Sequence, residues 1–432
     1  MQNFQRWKDY QRKLQRKALG KRLFRQGFWF FPCLLLLGLA TQFSKVDLST
    51  GSLEKAADTS NVLMKKDLRG LIDPELLCNG PGGKIHLSYS GNSFSTKTTL
   101  DSSLQAYMSK KIHGSKSPIV GFVAMEPASG RILSLVDSKK MKGVKSVCLS
   151  SQFPAASIFK IVSAAAAIDS CNMSADTKLK YNGRKHTLYK NQLTDRTNRY
   201  TNSVSLKVSF AESINPAFGK LGIFCLKKDL LQEYAVRFGF NQPINFELPL
   251  QPSRISVDDD PYHWAELACG FNRETLISPI HGAMMAAAIL NDGKLVEPTI
   301  IEVITDNENN PVYSGNTRVI RQVLSQKASR EMKELMAATI SRGTSRRAFR
   351  GFRRDRILKK LLIGGKTGSI KNKSDELLYD WFVGFCAEKA GTRKLALAVL
   401  VVHDKLLRAR AQEYARLAMR HYFKKPLPSG IS

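Results

Sequence analysis

The chain has 432 residues, enough for two or three domains or one large domain with appendages, and its apolar fraction of 43% allows a sizeable core. A formal net charge of +31 at pH 7 requires an anionic neighbour, such as nucleic acid, a membrane face or an acidic polymer. None of the seven cysteines is spaced as Cys-x-x-Cys, so zinc-ribbon and thioredoxin-like sites have no support.

The N-terminus favours a membrane among these neighbours. Residues 1–27 carry nine Lys or Arg and one acid, which leaves about +23 for the rest of the chain. The uncharged run FWFFPCLLLLGLATQF follows at 28–43, and a basic flank before such a run is typical of an N-terminus that stays in the cytoplasm. We expect a cytoplasmic basic tail (1–27), a transmembrane anchor (28–43) and a stalk or pedestal (44–83). A cleaved signal peptide is the alternative, with a weak cleavage site at 38–40.

Strand and helix signals begin after the turn cluster NGPGGK at 79–84. Apolar residues at helical spacing predict a helix over residues 98–112, with Asp101 as its N-cap. The runs IVGFVAM and RILSLVD, joined by the turn EPASG, predict a hairpin.

The second half of the chain returns to strands after a long stretch that we expect to be mostly helical as far as Thr344. The runs LLIGGKTGS, DWFVGFCAE and KLALAVLVVH predict three strands, and residues 406–423 predict a basic amphipathic helix. Strands at both ends with helices between them favour one sheet whose first and last strands are neighbours. The predicted fold class is therefore mixed α/β, with a central antiparallel sheet, flanking helices and a helical subdomain.

Ser157 and Lys160 lie three residues apart at the start of the apolar segment PAASIFKIVSAAAAIDS, residues 154–170. On a helix they would share one face, near an N-terminus whose partial positive charge favours an alkoxide. Apolar surroundings lower the pKa of a lysine, which would let it accept the serine proton. The alternative is that Ser157 is only the N-cap of a buried helix. The same Ser-x-x-Lys spacing recurs at residues 52–55.

Two further motifs follow along the chain. Ser213 and Asn215 form a Ser-x-Asn pattern, which is weak alone because it recurs at residues 90–92, 170–172 and 314–316. The Lys-Thr-Gly-Ser run at residues 366–369 contains the only Lys-Thr-Gly of the chain. Glycines beside it would let a substrate approach the backbone of a strand closely.

In this order and context the motifs resemble those of the penicillin-binding protein family, the acyl-serine transpeptidases related to serine β-lactamases. The likeness covers residues 84–403 and includes GFVAMEPASGRILSLV, YAVRFGF and ISPIHGAMMAAAILNDG in the expected positions. It implies a penicillin-binding protein/β-lactamase-like fold and a transpeptidase domain over residues 84–425. Two places depart from the family pattern: residues 270–273 are not glycine-rich, and Ser345 replaces a frequent glycine.

The resemblance also implies a role for each motif residue. Lysine and hydroxyl donors suit a substrate carboxylate, and preorganised N–H groups suit a tetrahedral oxyanion. The resemblance implies that Ser157 is the nucleophile, Lys160 the general base and Ser213 a proton relay. Asn215 would hydrogen-bond Lys160 or the substrate amide, and Lys366 would keep the pocket electropositive. Thr367 and Ser369, on the substrate-binding strand that includes Gly368, would bind the carboxylate, and the backbone N–H groups of Ser157 and Ser369 would form the oxyanion hole. No metal or cofactor is expected.

The implied activity is that of a peptidoglycan D,D-transpeptidase inhibited by β-lactams. The expected location is the inner membrane, crossed once at residues 28–43, with the catalytic domain in the periplasm or extracytoplasmic space. Expected partners are peptidoglycan stem peptides, β-lactams and the membrane; other cell-wall synthesis proteins are candidates, and nucleic acid is not expected.

Three alternatives remain open. A D,D-carboxypeptidase would use water as the acceptor, and the sequence does not separate it from a transpeptidase. A class D-like β-lactamase is disfavoured by Asn215, because an apolar residue is usual there, and by the lack of a deacylating carboxylate. A β-lactam sensor or idle scaffold is disfavoured by the complete set of motifs.

A basic segment at residues 342–360 also has two interpretations. It holds nine Lys or Arg and one acid, Asp355. It is either a solvated helix face or a basic rim near the Lys-Thr-Gly strand that attracts an acidic wall polymer.

Overall fold

The computed structural model describes residues 63–89, 92–141 and 146–424. The predicted basic tail, the predicted anchor (28–43) and most of the predicted stalk lie outside these residues. Of the helices within these ranges, none combines the length and apolar character that a bilayer crossing requires. The domain boundaries proposed above therefore stay predictions.

The described residues form alternating strands and helices. The strands are β1 (Lys84–Tyr89), β2 (Asn92–Thr98), β3 (Ile119–Met125), β4 (Ile132–Lys139), β5 (Phe153–Pro154), β6 (Lys178–Tyr181), β7 (Asn202–Ser205), β8 (Leu276–Ile277), β9 (Lys294–Val296), β10 (Ile301–Thr305), β11 (Pro311–Ser314), β12 (Val319–Gln322), β13 (Leu361–Lys371), β14 (Leu378–Glu388) and β15 (Lys394–His403). The α-helices are α1 (Lys65–Leu68), α2 (Pro74–Cys78), α3 (Ser102–His113), α4 (Lys160–Ser170), α5 (Leu206–Ala211), α6 (Asn215–Leu221), α7 (Lys227–Arg237), α8 (Pro261–Cys269), α9 (Pro279–Leu290), α10 (Gln326–Ser341) and α11 (Ala411–Tyr422).

The central sheet has five antiparallel strands in the order β13-β14-β15-β3-β4. The late strand β15 pairs with the early strand β3, with Leu397 opposite Ala124, which confirms the expected neighbours. The predicted hairpin, the three predicted late strands and the Asp101 cap, whose carboxylate accepts from Leu104 N at 2.9 Å, are also confirmed. Strand β13, which carries the Lys-Thr-Gly motif, lies at one edge of this sheet.

Helices cover both faces of the sheet, which explains why β15 is apolar along almost its whole length. Alternate residues from Ala396 to Val402 belong to one core cluster together with α9, which is buried at every position. The intervening residues from Leu395 to Val401 pack in a second cluster with α3 and α11. Side chains of a strand point to opposite faces in turn, so both layers bury apolar surface.

Three sequence-based expectations were wrong in detail. The stretch to Thr344 also contains short strands, and β10 and β11 join β1 and β2 in a four-stranded sheet. The C-terminal helix begins at Ala411, because Leu406 and Leu407 lie in an exposed loop before it. Residues 342–357 form successive turns, followed by a short 3₁₀ helix, so the interpretation as a solvated helix face is not correct.

Two contacts tie outer segments to this framework. Lys65 of α1 is buried and pairs with Glu297 at 2.8 Å, so the described part of the predicted stalk packs against the core. A disulfide between Cys171 and Cys225 links the end of α4 to the π-helical segment Gly222–Leu226.

Candidate active site

A cleft of about 340 Å³ lies where β13 meets the start of α4. It brings residues from all three sequence motifs together with side chains that no motif indicated. The lining residues are Ser157, His186, Ser213, Asn215, Phe271, Thr344, Thr367, Ser369, Arg410 and Gln412. The convergence of the motifs is thus a property of the fold, while the roles assigned to their residues stay predictions.

Ser157 lies in a 3₁₀ turn, Ala156–Phe159, that leads into α4. The residue before it, Ala156, has a φ of 49°, a left-handed conformation that costs an alanine about 1 kcal/mol or more. The Ser157 hydroxyl caps no helix end; its partners are Lys160 Nζ at 2.9 Å and the Cys269 carbonyl oxygen at 3.4 Å. The helix-cap alternative is therefore wrong for Ser157.

Lys160 is completely buried beside this hydroxyl. Its Nζ donates to Ser157 Oγ at 2.9 Å, to Asn215 Oδ1 at 2.8 Å and to the Cys269 carbonyl oxygen, and it lies 5.5 Å from the centre of the Phe218 ring. Burial disfavours the charged form and lowers the pKa of Lys160 to about 8. A useful fraction of this amine is therefore neutral near physiological pH.

Asn215 is held by the backbone of the loop that forms the cleft wall. Its N–H donates to the Lys185 carbonyl oxygen at 2.7 Å, and its Nδ2 donates to the His186 carbonyl oxygen at 3.1 Å. These contacts fix the amide so that Oδ1 accepts from Lys160. Because an amide oxygen only accepts hydrogen bonds, Asn215 Oδ1 draws one N–H of Lys160 towards itself. This contact fixes the direction of the other Nζ positions, including the lone pair of the neutral amine.

Lys366 is a second fully buried lysine, on the β13 side of the cleft. Its Nζ donates to Ser213 Oγ at 3.0 Å and to the Thr367 carbonyl oxygen at 2.8 Å. Burial, with a smaller contribution from the charge of Lys160, holds the pKa of Lys366 well below its usual value. Because two like charges close together in a dry site repel each other, the site disfavours the state in which both lysines are charged.

Glycines allow two elements to pack directly on the Ser157 turn. A Cβ at Gly368 would lie 3.2 Å from both Ala155 O and Ile158 Cγ2, so β13 passes very close to this turn. Gly270 ends α8 with a φ of 64°, and a Cβ there would lie 2.0 Å from the Ala156 carbonyl oxygen. Although residues 270–273 depart from the family pattern, a side chain at 270 is excluded.

Arg410, the residue before α11, was not indicated by any motif. Its Nε and Nη2 donate to the two carboxylate oxygens of Asp380, each at 2.7 Å, and Nη2 also lies 3.2 Å from Ser369 Oγ. Burial opposes ionisation of Asp380, but the neighbouring His403 and Arg410 outweigh it and hold the carboxyl pKa below its usual range. A permanent cation is therefore fixed next to the hydroxyl of the Lys-Thr-Gly-Ser run.

Hydroxyl contacts join the basic segment to the same end of the cleft. Thr344 Oγ1 lies 2.6 Å from Thr367 Oγ1. Ser345, the residue that replaces a frequent glycine, is buried and donates from Oγ to Gln412 Oε1 at 2.9 Å. No local sequence signal marks His186, Phe271 or Gln412, because each reaches the cleft only through the tertiary fold.

Comparisons with known proteins agree with this architecture. Residues 120–422 match the family model of the penicillin binding protein transpeptidase domain. A peptidoglycan D,D-transpeptidase, PbpA, of Mycolicibacterium smegmatis is 24% identical over 321 residues, covering 65% of this chain and 61% of that protein. Stage V sporulation protein D of Bacillus subtilis is 24% identical over 310 residues, covering 65% of this chain and 44% of that protein. The chain thus spans about half of the length of these relatives.

Solved structures show the same fold. The D,D-transpeptidase domain of a peptidoglycan glycosyltransferase from Eggerthella lenta has a TM-score of 0.62 at 20% identity, covering 76% of this chain and 82% of that one. The imipenem acyl-enzyme complex of penicillin-binding protein A from Mycobacterium tuberculosis has a TM-score of 0.61 at 20% identity, with coverages of 76% and 79%.

Proposed function

This chain belongs to the penicillin-binding protein transpeptidase family, and from that premise we propose that it is a peptidoglycan D,D-transpeptidase that works through an acyl-serine intermediate. The family carries serine acyltransferase activity. The observation that supports our proposal most directly is the contact of 2.9 Å between Ser157 Oγ and the buried Lys160 Nζ. A hydroxyl beside an amine of lowered pKa is the pairing that nucleophilic catalysis requires.

In the acylation step, Ser157 Oγ attacks the carbonyl carbon of the penultimate D-Ala of a donor stem peptide. Neutral Lys160 takes the hydroxyl proton as the new C–O bond forms. The oxyanion is stabilised by the N–H groups of Ser157 and Ser369, each of which would contribute roughly 3 kcal/mol in the transition state. The close approach of β13 to the Ser157 turn at Gly368 supports this pairing of donors.

Collapse of the tetrahedral species expels the terminal D-Ala and needs a proton on its nitrogen. Ser213 donates its hydroxyl proton to this nitrogen and regains a proton from Lys160, which holds the one taken from Ser157. In the second half-reaction an acceptor amine attacks the ester, gives up one proton along the same route, and Ser157 recovers its own. Lys366 keeps the Ser213 hydroxyl oriented, as their contact of 3.0 Å supports.

Binding of the donor carboxylate falls to the β13 side of the cleft. Thr367 and Ser369 offer hydroxyl donors, and Arg410 offers a charge that is present at every physiological pH. Lys366 is a poorer source of this charge because its pKa is held low. Since β13 is an edge strand, its outer backbone groups are available to pair with an extended peptide.

A long-lived acyl-enzyme is expected with β-lactams. Among the described residues, those that line the cleft include neither Asp nor Glu, so no carboxylate is in position to activate a water for rapid deacylation. The same observation disfavours the β-lactamase alternative. A transpeptidase transfers the acyl group to an amine of a neighbouring peptidoglycan strand. A carboxypeptidase transfers it to water, and would release D-Ala without forming cross-links.

The test uses the full-length protein in detergent with a labelled penicillin. We expect a stoichiometric adduct that decays over hours and is absent from Ser157→Ala. Ser163→Ala is the matched control, because it removes a nearby hydroxyl, buried in α4 and bonded to Ala268 O, and should keep the adduct. Fast decay would indicate a β-lactamase, and an adduct that survives in Ser157→Ala would disprove the assignment of the nucleophile.

We further propose that residues 28–43 anchor the protein in the membrane, with the catalytic domain outside the cytoplasm. The uncharged run behind a basic flank supports this topology. Resistance of the full chain to alkaline extraction from membranes, and protection of residues 1–27 from external protease, are the expected results. Release of a shortened chain into the soluble fraction would instead support a cleaved signal peptide.

A further inference from the structure

The segment of residues 342–360 concentrates exposed positive charge. All nine basic side chains are exposed, and among the described residues none of them forms an ion pair. They are Arg342, Arg346, Arg347, Arg350, Arg353, Arg354, Arg356, Lys359 and Lys360. The only acid of the segment, Asp355, is occupied by the backbone N–H of Ile357 and by Arg420 Nε, each at 2.9 Å. Nothing within the segment therefore neutralises its charge.

The backbone beneath these side chains is firmly held. Phe349 is completely buried and its ring stacks on Phe382 with 5.9 Å between centroids. Leu358 is also buried, and Ser345 is fixed by its hydrogen bond to Gln412. The cations therefore project from a defined surface, so little conformational entropy of the backbone is lost when a ligand binds.

Five of the arginines surround a groove with a volume of about 1030 Å³, which we call the arginine groove. It is lined by Ile340, Ser341, Arg346, Arg347, Phe349, Arg350, Gly351, Phe352, Arg353 and Arg354. The guanidinium of Arg353 lies 5.7 Å from the centre of the Phe352 ring. Guanidinium groups match carboxylate oxygens with paired N–H donors, and their mutual repulsion falls when an anion enters between them.

The arginine groove adjoins the catalytic cleft. Thr344 lines the cleft and contacts Thr367, while Arg346 lines the arginine groove only two residues further on. A ligand long enough to leave the cleft on this side would therefore meet the guanidinium groups. A polymer with repeated carboxylates fits this arrangement better than a single small anion, because one carboxylate already belongs in the cleft.

We propose that the arginine groove binds carboxylates of the peptidoglycan strand whose stem peptide occupies the cleft, so that the enzyme holds the polymer as well as its reacting end. The identity of this ligand rests on the proposed function. Uncross-linked strands repeat carboxylate-bearing stem peptides along a glycan, so several of them can be engaged at once. The arginine groove then acts as a strand-retention site that a small β-lactam does not use.

The test compares two variants that each remove three exposed charges without ion pairs. Arg347→Gln/Arg350→Gln/Arg354→Gln changes the arginine groove, whereas Lys66→Gln/Lys84→Gln/Lys116→Gln changes other exposed positions of the described chain. Binding of uncross-linked peptidoglycan strands to the full-length protein is measured from 50 to 400 mM salt. We expect the groove variant to bind about tenfold more weakly at low salt and with a shallower salt dependence, and the control to bind like wild type.

Two further arms separate the possible causes. Strands with amidated carboxyl groups should bind wild type and the groove variant equally, and labelled penicillin should acylate both at the same rate. Equal binding of unmodified strands by both proteins, with normal acylation, would overturn the groove proposal alone. Failure of wild type to form any adduct would instead overturn the proposed function. If wild type bound polyphosphate more tightly than peptidoglycan strands, and amidation of the strands did not change their binding, the arginine groove would be assigned to a different polymer.

Discussion

Lys160 and Arg410, two cationic residues of the cleft, are held in opposite ways, and Lys366 on the β13 side resembles Lys160 because it too is buried without an acid. On the wall formed by α4 and α6, Lys160 is fully buried, has no carboxylate partner and has a pKa lowered to about 8. On the β13 wall, the Arg410 side chain is 34% exposed and pairs in two places with the buried Asp380. The group that must release a proton is thus removed from water, and the group that must stay charged is paired with a carboxylate.

This division has a physical basis. Burial without a counter-ion destabilises an ammonium group, so Lys160 can alternate between acid and base at modest cost. A guanidinium does not lose its proton in proteins, and the Asp380 carboxylate fixes its direction. The pH dependence of acylation should therefore arise at Lys160, and selection of the substrate carboxylate at Arg410.

The largest expected effect is on the proton acceptor. Lys160→Arg keeps the positive charge but removes the base, and we expect acylation by a labelled penicillin to slow about 10³-fold or more. In wild type the rate should rise about tenfold per pH unit up to pH 8 and then level off, because only the deprotonated amine accepts the serine proton. The rate of adduct formation with labelled penicillin, followed in quenched samples at pH 6 to 9, measures both effects.

The pH profile also tests the contrast between the walls. The matched control for Lys160→Arg is Arg410→Lys. It preserves the charge on the β13 wall and should leave the midpoint of the acylation rate profile near pH 8 unchanged. A wild-type rate that is flat between pH 6 and 8 would show that burial does not tune Lys160 as the structure indicates.

The second effect concerns the carboxylate of the donor peptide. Removal of a charged hydrogen bond costs about 1.5–3 kcal/mol, so Arg410→Gln should reduce kcat/KM for a peptide ending in D-Ala-D-Ala about 10- to 100-fold. The same peptide as its C-terminal amide should react almost equally with wild type and variant, because it lacks the charge that Arg410 attracts. Steady-state release of D-Ala or D-alaninamide provides the measurement.

Arg410→Lys keeps the charge but not the paired contact with Asp380, and we expect it to recover only part of the loss. If Arg410→Gln slowed the acid and the amide equally, Arg410 would be holding the cleft in shape and not selecting the carboxylate.

The sequence was informative where chemistry is encoded in short spacings. Ser157 and Lys160 are one helical turn apart, and the run at Lys366 needs only a strand to present its hydroxyls, so these positions were predicted without the fold. Arg410 and Asp380 could not be, because their pairing depends on how α11 packs on the sheet.

The wrong predictions share a related cause. Residues 342–357 were compatible with a helix because charged residues recur at many spacings, but burial of Phe349 and Leu358 at points along a turning chain decides the structure. The short strand β10 is stabilised by pairing with β2, far away along the chain, and β11 then pairs with β10; local patterns carry little of that information.

The smallest expected effect is at Ser345, which supports the β13 wall from behind. Ser345→Gly removes its hydrogen bond to Gln412 and adds backbone freedom, which together should lower the free energy of unfolding by about 1–2 kcal/mol. Gln412 is half-buried and can bind water instead, so kcat/KM should fall less than about threefold. Thermal unfolding of the detergent-solubilised chain tests the expected loss of stability, and kinetics with the donor peptide test the expected kcat/KM. A loss as large as that of Arg410→Gln would mean that Gln412, and not only the Arg410 charge, governs this wall.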